Sequence, residues 1–416
     1  MSSLDIQDID LLVVGSGIAG LSILDHAVRR GLVCVGVESG AIGRGQSISA
    51  QGIIHGGLKY TLKERDLDAA DSIRAMPEAW RRFADAPGAM DLDLRDSTML
   101  SPCTWVWRTD SIASRIGMLG AKTMLRTRTD TVPPEARPEL LRTLGGKVLR
   151  VEEPVFDTRS VLEALAARNR SHLVAVDGAE GIELRSRGGR IETVVLRDRH
   201  GASLEIRPRT VVLSAGVGNE SLLSRLGLEA DVAQRRPLHM TLLRGRGLPD
   251  LFGHCVDGNK TRVTITSNRD RDGRTVWQIG GEIAERGVGR TSADQCRTAA
   301  AELAAALPPL DLDAYDEVAW SSYEVDRAEK RTTAGWRPDD VEVHEAAPGL
   351  LVAWPTKWAL APRLAAAVIE ALPIADGGPR PSPIDTGGLE RPTVASFPWE
   401  DRTWIDHRDV RSAAPA

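Results

Sequence analysis

Three glycines and one glutamate have the types and the spacing that bind the phosphates and a sugar of a dinucleotide. Gly15, Gly17 and Gly20 follow the pattern G-x-G-x-x-G, and Glu38 follows further along the chain. In this pattern the first glycine permits a tight turn, the second lets the backbone approach a pyrophosphate, and the third lets a helix pack closely on a strand. A carboxylate at Glu38 can accept both hydrogen bonds of an adenosine ribose diol. We therefore expect a dinucleotide site.

The elements that must position these residues are a strand, a helix and a second strand. Residues 9–14 are a short apolar run, residues 21–30 have helical spacing, and the apolar residues 33–37 end at Glu38. A pyrophosphate would lie at the helix N-terminus, where unpaired N–H groups and the helix dipole favour an anion. The complete order of strand, glycines, helix, second strand and acidic residue indicates a dinucleotide site far more specifically than the glycines alone. It therefore favours such a site over an ordinary glycine-rich turn.

Length, charge and cysteine usage limit the classes of protein. With 416 residues the chain can form two lobes, and a net charge of −5 with 27% charged residues excludes a general nucleic-acid surface. The cysteines are far apart, without metal-type spacing, so we expect reduced thiols in a cytoplasmic protein and no metal site. The N-terminus does not resemble a signal peptide, and no run of about 18 apolar residues predicts a membrane span. The cysteines are Cys34, Cys103, Cys255 and Cys296.

Residues 39–60 carry a glycine- and serine-rich stretch that ends in the segment Gly52-Ile-Ile-His-Gly-Gly-Leu58. Such a stretch is too polar and too rich in glycine to form a hydrophobic core. It can instead surround a ligand that has many hydrogen-bond acceptors. Together with the nucleotide turn, it resembles the D-amino-acid-oxidase superfamily of FAD oxidoreductases, nearest the glycerol-3-phosphate dehydrogenase and 2-hydroxyglutarate dehydrogenase branch. The resemblance covers residues 9–372. It implies FAD rather than NAD, and a flavin that accepts a hydride from a substrate C–H.

The resemblance implies an α/β fold, with a Rossmann-type FAD-binding domain and a mixed-sheet α+β substrate domain. The FAD-binding domain is predicted to be discontinuous and to comprise residues 1–75, 148–231 and 340–375. The substrate domain is predicted to comprise residues 76–147 and 232–339. The remaining residues, 376–416, are rich in proline, glycine and aspartate. We expect this tail to be disordered or to pack as an arm on a neighbour.

Local patterns predict further elements in both domains. Predicted helices cover residues 61–85, 160–168, 293–306 and 360–372, and Asp157 or Thr158 could cap the second of them. Predicted strands include residues 173–176 and 320–331, and residues 209–222 are predicted to be a buried strand that ends in an Ala-Gly-x-Gly turn. Asp272-Gly273 is a hairpin signal. Residues 111–128 are amphipathic and basic. We favour a solvated helix face there over peripheral contact with an acidic membrane surface.

The resemblance also assigns residues to the cofactor. At residues 354–358 the chain reads Trp-Pro-Thr-Lys-Trp, where the family usually has a Gly-x-Gly pattern, so the backbone contacts of this loop can differ. The predicted FAD-binding residues are Gly15, Gly17, Ile18, Ala19, Gly20, Glu38, Ser39, Arg44, Gly45, Gln46, Ser47, Ser49, Ala50, Gln51, Gly52, Val174, Ala215, Gly216, Thr356, Lys357, Trp358 and Ala359.

Three side chains are the candidates for catalysis. The resemblance places His55 near flavin and substrate, as a general base, a substrate hydrogen-bond partner or a covalent flavin link, and we expect non-covalent FAD. Lys357, just before a helix, would stabilise negative charge on the reduced flavin; the alternative is a surface lysine. Arg327 would clamp a substrate carboxylate or phosphate; the alternative is a solvated charge run with its neighbours.

These residues predict an FAD-dependent oxidase or dehydrogenase. It would remove a hydride from the CH–OH or CH–NH carbon of a small, anionic metabolite and pass the electrons to oxygen, a quinone or a carrier. One alternative is an NAD(P)-dependent dehydrogenase. The other is a flavoprotein subunit that serves electron transfer or assembly without a substrate of its own.

Overall fold

Strand β1 (Gln7–Val14) lies inside the first sheet, and its last four residues are buried. A computed structural model describes the chain over residues 6–57, 73–108, 130–257, 260–332, 338, 340–373 and 384–412. Helix α1 (Ile18–Arg29) follows β1 after the glycine turn, and β2 (Cys34–Glu38) runs parallel to β1. The predicted strand, helix and second strand are thus confirmed, with Glu38 as the last residue of β2.

The first sheet has eight strands, of which the central ones are parallel. Its main path runs β17-β18-β11-β1-β2-β8, and β10 and β9 extend it as an antiparallel flap from β11. Residues from four separate parts of the chain therefore meet at the carboxyl ends of neighbouring strands. The additional strands are β8 (Leu173–Ala175), β9 (Ile182–Arg187), β10 (Arg190–Arg197), β11 (Ser203–Leu213), β17 (Glu342–Ala347) and β18 (Leu350–Trp354).

Apolar helix faces cover this sheet. Helix α1 packs with two later helices, and its buried Leu21, Ile23 and Leu24 join one core with residues of β1 and β2. Asp157 caps the helix that begins at Thr158, because its Oδ1 accepts from the Ser160 N–H at 2.7 Å. The helices named here and their neighbours are α2 (Met76–Asp85), α3 (Glu139–Arg142), α4 (Thr158–Arg168), α5 (Gly218–Arg225) and α8 (Ala361–Ala371).

The second sheet has nine strands in the order β19-β16-β12-β15-β14-β13-β4-β6-β5. Its longest strands, β12 (Ala233–Arg246) and β16 (Asp316–Lys330), pair antiparallel along nearly their whole length. The predicted hairpin joins β14 and β15, and Gly273 has a φ of +76° there. The other strands are β4 (Thr104–Arg108), β5 (Asp130–Thr131), β6 (Leu149–Val151), β13 (Gly253–Asp257), β14 (Lys260–Arg269), β15 (Thr275–Gly280) and β19 (Ile405–Asp406).

Behind the second sheet lie α6 (Glu282–Arg286) and the alanine-rich α7 (Ser292–Ala306), which confirms the predicted helix there. Buried tryptophans of β4, β15 and β16 fill the core between this sheet and α7. A separate pair of short strands, β3 (Met99–Ser101) and β7 (Val155–Phe156), lies near the glycine- and serine-rich stretch. Each of the two lobes is built on one of the two large sheets. The predicted domain boundaries stay a prediction.

The C-terminal residues 384–412 differ from the expectation of disorder or an arm on a neighbour. They pack on their own chain: Val394 forms a β-bridge with Ile42, and β19 pairs with β16. Phe397 stacks on Trp399, with ring centroids 4.2 Å apart, and both residues are buried. The segment ends in a short helix, α9 (His407–Ser412). Composition alone did not indicate that these aromatic residues join the core.

Two sequence predictions fall on parts of the chain outside the described residues. These are the first part of the predicted helix 61–85, of which α2 is the described end, and the basic segment 111–128. Among the helices of the described residues, none is long and apolar enough to cross a lipid bilayer. All four cysteines are buried free thiols, and burial raises the pKa of Cys34 to about 12.

Candidate active site

A cavity of about 910 Å³ lies between the two sheets. It begins at the carboxyl ends of the parallel strands and extends along the inner face of β12 and β16. Its volume is at the upper end of the range for ligand pockets, about 300–1,000 Å³. Open α/β sheets bind ligands at the carboxyl ends of their strands, so this is where a dinucleotide would be expected.

The glycine turn forms one end of the cavity. Gly15 has a φ of +97°, and a Cβ placed there would lie 2.6 Å from the Ala215 Cα, so only glycine fits. Gly17 has an ordinary extended conformation, and a Cβ there would point to the Ser47 Oγ at 2.9 Å. The Ser47 hydroxyl accepts from the Ile18 N–H at 3.0 Å, at the first turn of α1. The α1 N-terminus therefore faces the cavity beside the small Ser47 side chain, where its N–H groups can bind a pyrophosphate.

Glu38 lies at the rim of the same end. Its Oε2 accepts from the Ser16 N–H at 2.9 Å and its Oε1 accepts from the Gly40 N–H at 3.0 Å. Burial raises the pKa of the Glu38 carboxyl, while these backbone donors oppose the rise. The carboxylate holds the turns before α1 and after β2 in place, and it also lines the cavity.

Residues 49–52 run along the middle of the cavity and are fixed by the second sheet. The Gln51 side chain donates to the backbone oxygens of Gln278, at 2.8 Å, and Thr264, at 3.2 Å. In return, the Gln278 side chain donates to the Ser49 carbonyl at 2.8 Å and contacts the Tyr323 hydroxyl. These bonds join the glycine- and serine-rich stretch of the first lobe to strands of the second sheet. The stretch is thus a rigid wall rather than a flexible surface loop.

Lys357 belongs to the loop between β18 and α8, and it is buried, with 5% of its surface exposed. Aromatic packing fixes this loop, because Trp358 stacks on Trp80 with ring centroids 4.7 Å apart. The preceding Thr356 has a φ of +61°, a left-handed conformation that is unfavourable for a β-branched residue by about 1–3 kcal/mol. Its hydroxyl donates to the Asp340 carbonyl at 2.6 Å and helps to hold that conformation. The departure from the family's glycine pattern therefore leaves a strained, tightly held loop that brings Lys357 to the cavity wall.

His55 lies in the cavity wall and is half-buried, in a cluster with the buried Glu153 and His254. Its Nδ1 is 3.2 Å from the Glu153 Oε2, and its ring centroid is 5.6 Å from that of His254. Potential ligand atoms of the three lie within 4.8 Å of one another, which could hold a metal ion. However, both Glu153 oxygens already accept hydrogen bonds, from the Gly56 N–H and at His55. We interpret the cluster as a hydrogen-bonded one, in which Glu153 bonds both His55 and the Gly56 N–H.

Arg327 also borders the cavity, on β16. Its Nε donates to the Arg236 carbonyl at 3.2 Å, and its Nη atoms lie 3.4 Å from the Glu285 Oε1. The Glu285 side chain is 55% exposed and can be displaced from this contact. Two neighbouring cations point elsewhere: Lys330 pairs with Glu342, and Arg331 pairs with Asp231. Among the three basic residues of this run, Arg327 is the cavity residue.

Most of the predicted FAD-binding residues line this one cavity. Gly20 and Val174 lie behind its wall. A Cβ on Gly20 would collide with the Gly15 carbonyl, so Gly20 serves the packing of α1 on the turn. Val174 is fully buried in β8, beside Val37 of β2. Both support the wall from inside the first lobe.

Sequence reasoning missed the cavity residues that come from the C-terminal segment and from the face of the second sheet. The C-terminal contributors are Ala395, Ser396, Pro398 and Arg402, and Met240 and Tyr323 lie on β12 and β16. Arg402 lies 5.7 Å from the centre of the Tyr323 ring, and its Nε donates to the Pro398 carbonyl at 3.0 Å. Alternation on β12 and β16 could have indicated an inward face. No sequence signal placed the tail there.

The geometry of the glycine turn, the α1 N-terminus and Glu38 matches what FAD binding requires. The glycine cradle would be filled by any Cβ, the α1 N-terminus faces it, and a carboxylate stands at the end of β2, where an adenosine ribose would lie. The cavity continues from there toward Lys357 and His55. Dinucleotide-binding groups and titratable side chains therefore share one continuous space.

Glu38→Gln is expected to weaken FAD binding about 10- to 150-fold and to leave the fold intact. A charge-assisted hydrogen bond contributes roughly 1.5–3 kcal/mol, and the amide also satisfies only one of the Ser16 and Gly40 donors. Titration of the apoprotein with FAD gives the affinity, with the exposed Glu370→Gln as a matched control. An unchanged FAD affinity would remove Glu38 from the ribose.

A family model described as "FAD dependent oxidoreductase" (DAO) matches residues 10–365. The probable FAD-dependent oxidoreductase PA4991 of Pseudomonas aeruginosa is 40% identical over 396 residues, covering 94% of this chain and 97% of that protein. Its crystal structure superposes with a TM-score of 0.77 over 95% of this chain and 98% of the other.

Two more distant solved structures share the fold. The glycine oxidase of Geobacillus kaustophilus has a TM-score of 0.63 at 17% identity, over 88% of this chain and 95% of its own. The L-alpha-glycerophosphate oxidase of Mycoplasma pneumoniae, solved with FAD bound, has a TM-score of 0.61 at 12% identity, over 89% of this chain and 96% of its own.

Proposed function

Because the chain belongs to the DAO family of FAD-dependent oxidoreductases, we propose that it oxidises the CH–OH or CH–NH carbon of a small, anionic metabolite. Family membership removes the NAD(P)-dependent alternative. FAD, when bound, supplies the acceptor for the hydride that leaves the substrate carbon. The side chains of the cavity would accept the proton, stabilise the negative charge and bind the substrate's anionic group.

One observation carries this proposal. His55, Lys357 and Arg327 lie far apart in the sequence, yet all three line the cavity that also contains the nucleotide-binding turn. A proton acceptor, a buried cation and an anion-binding guanidinium are the groups that hydride removal from an anionic hydroxy or amino compound needs. A cavity that served only electron transfer would not need this combination.

His55 is the proposed proton acceptor. Its side chain is 29% exposed, toward the cavity, and imidazole changes its charge near neutral pH. The substrate loses a hydride from carbon and a proton from its hydroxyl or amino group, and His55 takes that proton. Another histidine of the second sheet, His239, has structural bonds, because it lies between the Gly287 carbonyl and the Ser322 hydroxyl.

Lys357 is the proposed electrostatic stabiliser. The loop that holds it is rigid, and water is largely excluded from its side chain. A fixed cation in such an environment stabilises developing negative charge more strongly than an exposed one would. We assign it to the negative charge of the reduced cofactor.

Two arginines are candidates for holding the substrate's anionic group, because a planar guanidinium matches a carboxylate or phosphate in two-point geometry. Arg327 is the candidate from the sequence, and one of its partners is the exposed Glu285. Arg402 is the candidate from the structure, and its Nε bonds to a neutral carbonyl oxygen. The substrates named for the two distant structures, glycine and an alpha-glycerophosphate, each carry an anionic group, a carboxylate or a phosphate, and this supports a substrate with such a group.

Arg327→Ala is expected to raise KM for the anionic substrate about 10- to 150-fold while kcat changes little, because one charge-assisted interaction contributes roughly 1.5–3 kcal/mol. Steady-state kinetics of Arg327→Ala and Arg402→Ala, measured in parallel, identify the residue that holds the anion. Arg331→Ala, which removes a cation outside the cavity, is the control. If neither cavity variant changed KM, the anionic substrate class would be wrong.

The proposed reaction is tested with matched pairs of metabolites. Each pair has the same oxidisable carbon, with and without a carboxylate or phosphate, and reduction of an artificial electron acceptor is measured. We expect turnover for anionic members and strongly reduced turnover for their neutral partners. Equal turnover of both members would contradict the proposal.

A further inference from the structure

Glu153 contacts His55 from behind the cavity wall. It lies between β6 and β7, and its side chain is only 4% exposed. Its Oε1 accepts from the Gly56 N–H at 2.7 Å, and its Oε2 is 3.2 Å from the His55 Nδ1. One buried carboxylate thus bonds both the imidazole and the next backbone amide.

Backbone pairing keeps this arrangement in register. The Ile54 N–H donates to the Pro154 carbonyl at 2.9 Å, and Ile53 forms an antiparallel bridge with Val155. The Phe156 N–H donates to the Gly52 carbonyl at 2.9 Å. Residues 154–156, directly after Glu153, are therefore tied to residues 52–54, directly before His55. The carboxylate cannot shift without moving the histidine.

We propose that Glu153 is a positioning residue that selects the tautomer of His55. An ionised carboxylate has no proton to donate, so the hydrogen bond to Nδ1 requires the imidazole proton to be on Nδ1. The lone pair is then on Nε2, which can accept a proton. This inference rests on the proposed function, in which His55 takes the proton of the substrate.

The carboxylate also stabilises the product of that proton transfer. The substrate's O–H or N–H bond breaks, its electron pair stays on the oxygen or nitrogen, and the proton bonds to Nε2. His55 is then a cation with both ring nitrogens protonated, and Glu153 provides the opposite charge at hydrogen-bond distance. The two electrons of the C–H bond leave with the hydride to FAD, so His55 and Glu153 are neither oxidised nor reduced.

Glu153→Gln tests the inference with a side chain of the same shape. The amide oxygen remains for the Gly56 N–H, so the amide NH₂ faces Nδ1 and donates to it. The proton of neutral His55 then moves to Nε2, and the ring can no longer accept at that atom. We expect kcat to fall by on the order of 10²–10⁴-fold, with KM, FAD content and melting temperature near those of the unmodified enzyme.

Glu152→Gln is the matched control, because Glu152 is the adjacent carboxylate, is 49% exposed and pairs with Arg81 on the surface. We expect it to leave kcat unchanged. A Glu153→Gln enzyme with unchanged kcat would overturn the inference. If His55→Ala lost activity in the same assay, the proposed proton acceptor would stand and only the positioning role would fail. If His55→Ala were also fully active, the proposed function of His55 would fail.

A spectroscopic measurement on the unmodified protein does not depend on the folding of any variant. ¹⁵N chemical shifts of histidine-labelled protein, with His55 assigned from a His55→Asn sample, report which nitrogen carries the proton when the ring is neutral. We expect Nδ1–H in the unmodified protein and Nε2–H in Glu153→Gln. An Nε2–H ring in the unmodified protein would overturn the inference. So would one divalent ion per chain, measured by elemental analysis, that is lost in both Glu153→Gln and His254→Ala, because the cluster would then be a metal site.

Discussion

Gly17→Val is expected to yield a folded protein without FAD. Gly17 has φ −71° and ψ −175°, a conformation that valine adopts without strain, so the backbone of the turn is retained. The new side chain would occupy the space in front of the α1 N-terminus, where its Cβ would lie 2.9 Å from the Ser47 Oγ. A pyrophosphate needs both that space and the helix N–H groups. The measurement is the FAD absorbance per chain after purification, with circular dichroism as a check on folding.

Gly88→Val is the matched control for this substitution. Gly88 lies in an exposed turn after α2, and a Cβ there would lie 3.3 Å from the Asp91 Oδ2, far from any phosphate-binding group. We expect the control to carry one FAD per chain. A folded Gly17→Val protein with full yellow colour would show that the pyrophosphate lies elsewhere.

Lys357→Met is expected to lower the rate of flavin reduction by substrate about 10²–10³-fold, the effect typical of losing one preorganised electrostatic group. Methionine is close to lysine in length and is apolar, so it keeps the packing of the loop while it removes the charge. The reduction potential of bound FAD should also fall, because the anionic reduced form loses its nearby cation. Anaerobic stopped-flow measurement gives the rate, and equilibration with reference dyes gives the potential.

FAD content separates a role in catalysis from a role in binding. Lys357→Met should retain one FAD per chain, because the substitution leaves the nucleotide turn and Glu38 unchanged. Lys260→Met, which removes a surface cation paired with Glu282, should leave both rate and potential unchanged. Unchanged values in Lys357→Met would show that its charge does not act on the cofactor.

The sequence predicted best where a short stretch carries its own physical constraint. The glycine turn of β1 and α1 is local: Gly15 must adopt a positive φ, and each flanking strand contains a buried apolar run. The same holds for Asp157 at the start of α4 and for the hairpin at Gly273. In each case the constraint acts between residues that are close together in the sequence.

Prediction was weaker where partners come from distant parts of the chain. Glu153 is 98 residues from His55, and no local pattern distinguishes it from the exposed Glu152 beside it. Arg402 reaches the cavity because Phe397 and Trp399 anchor a segment whose composition resembles a disordered tail. Such juxtapositions follow from tertiary packing, which the spacing of residue types does not encode.

The segment Trp354–Trp358 could be predicted only in part. Its place before α8 was predicted from the resemblance, whereas its conformation could not be. The loop uses Thr356 with a φ of +61° rather than a glycine, held by a bond to Asp340 and by the stacking of Trp358 on Trp80. Only the packed structure shows how that conformation is maintained.

The central claim is that this cavity binds FAD and oxidises a small anionic metabolite. Anaerobic titration of the FAD-loaded protein against a panel of hydroxy acids, amino acids and phosphorylated polyols tests it most directly. We predict that an anionic compound bleaches the long-wavelength flavin band with one equivalent per FAD, and that Lys357→Met slows this bleaching. A yellow protein that no compound of the panel bleaches, although dithionite reduces it fully, would contradict the claim and favour a flavoprotein that transfers electrons without a substrate of its own.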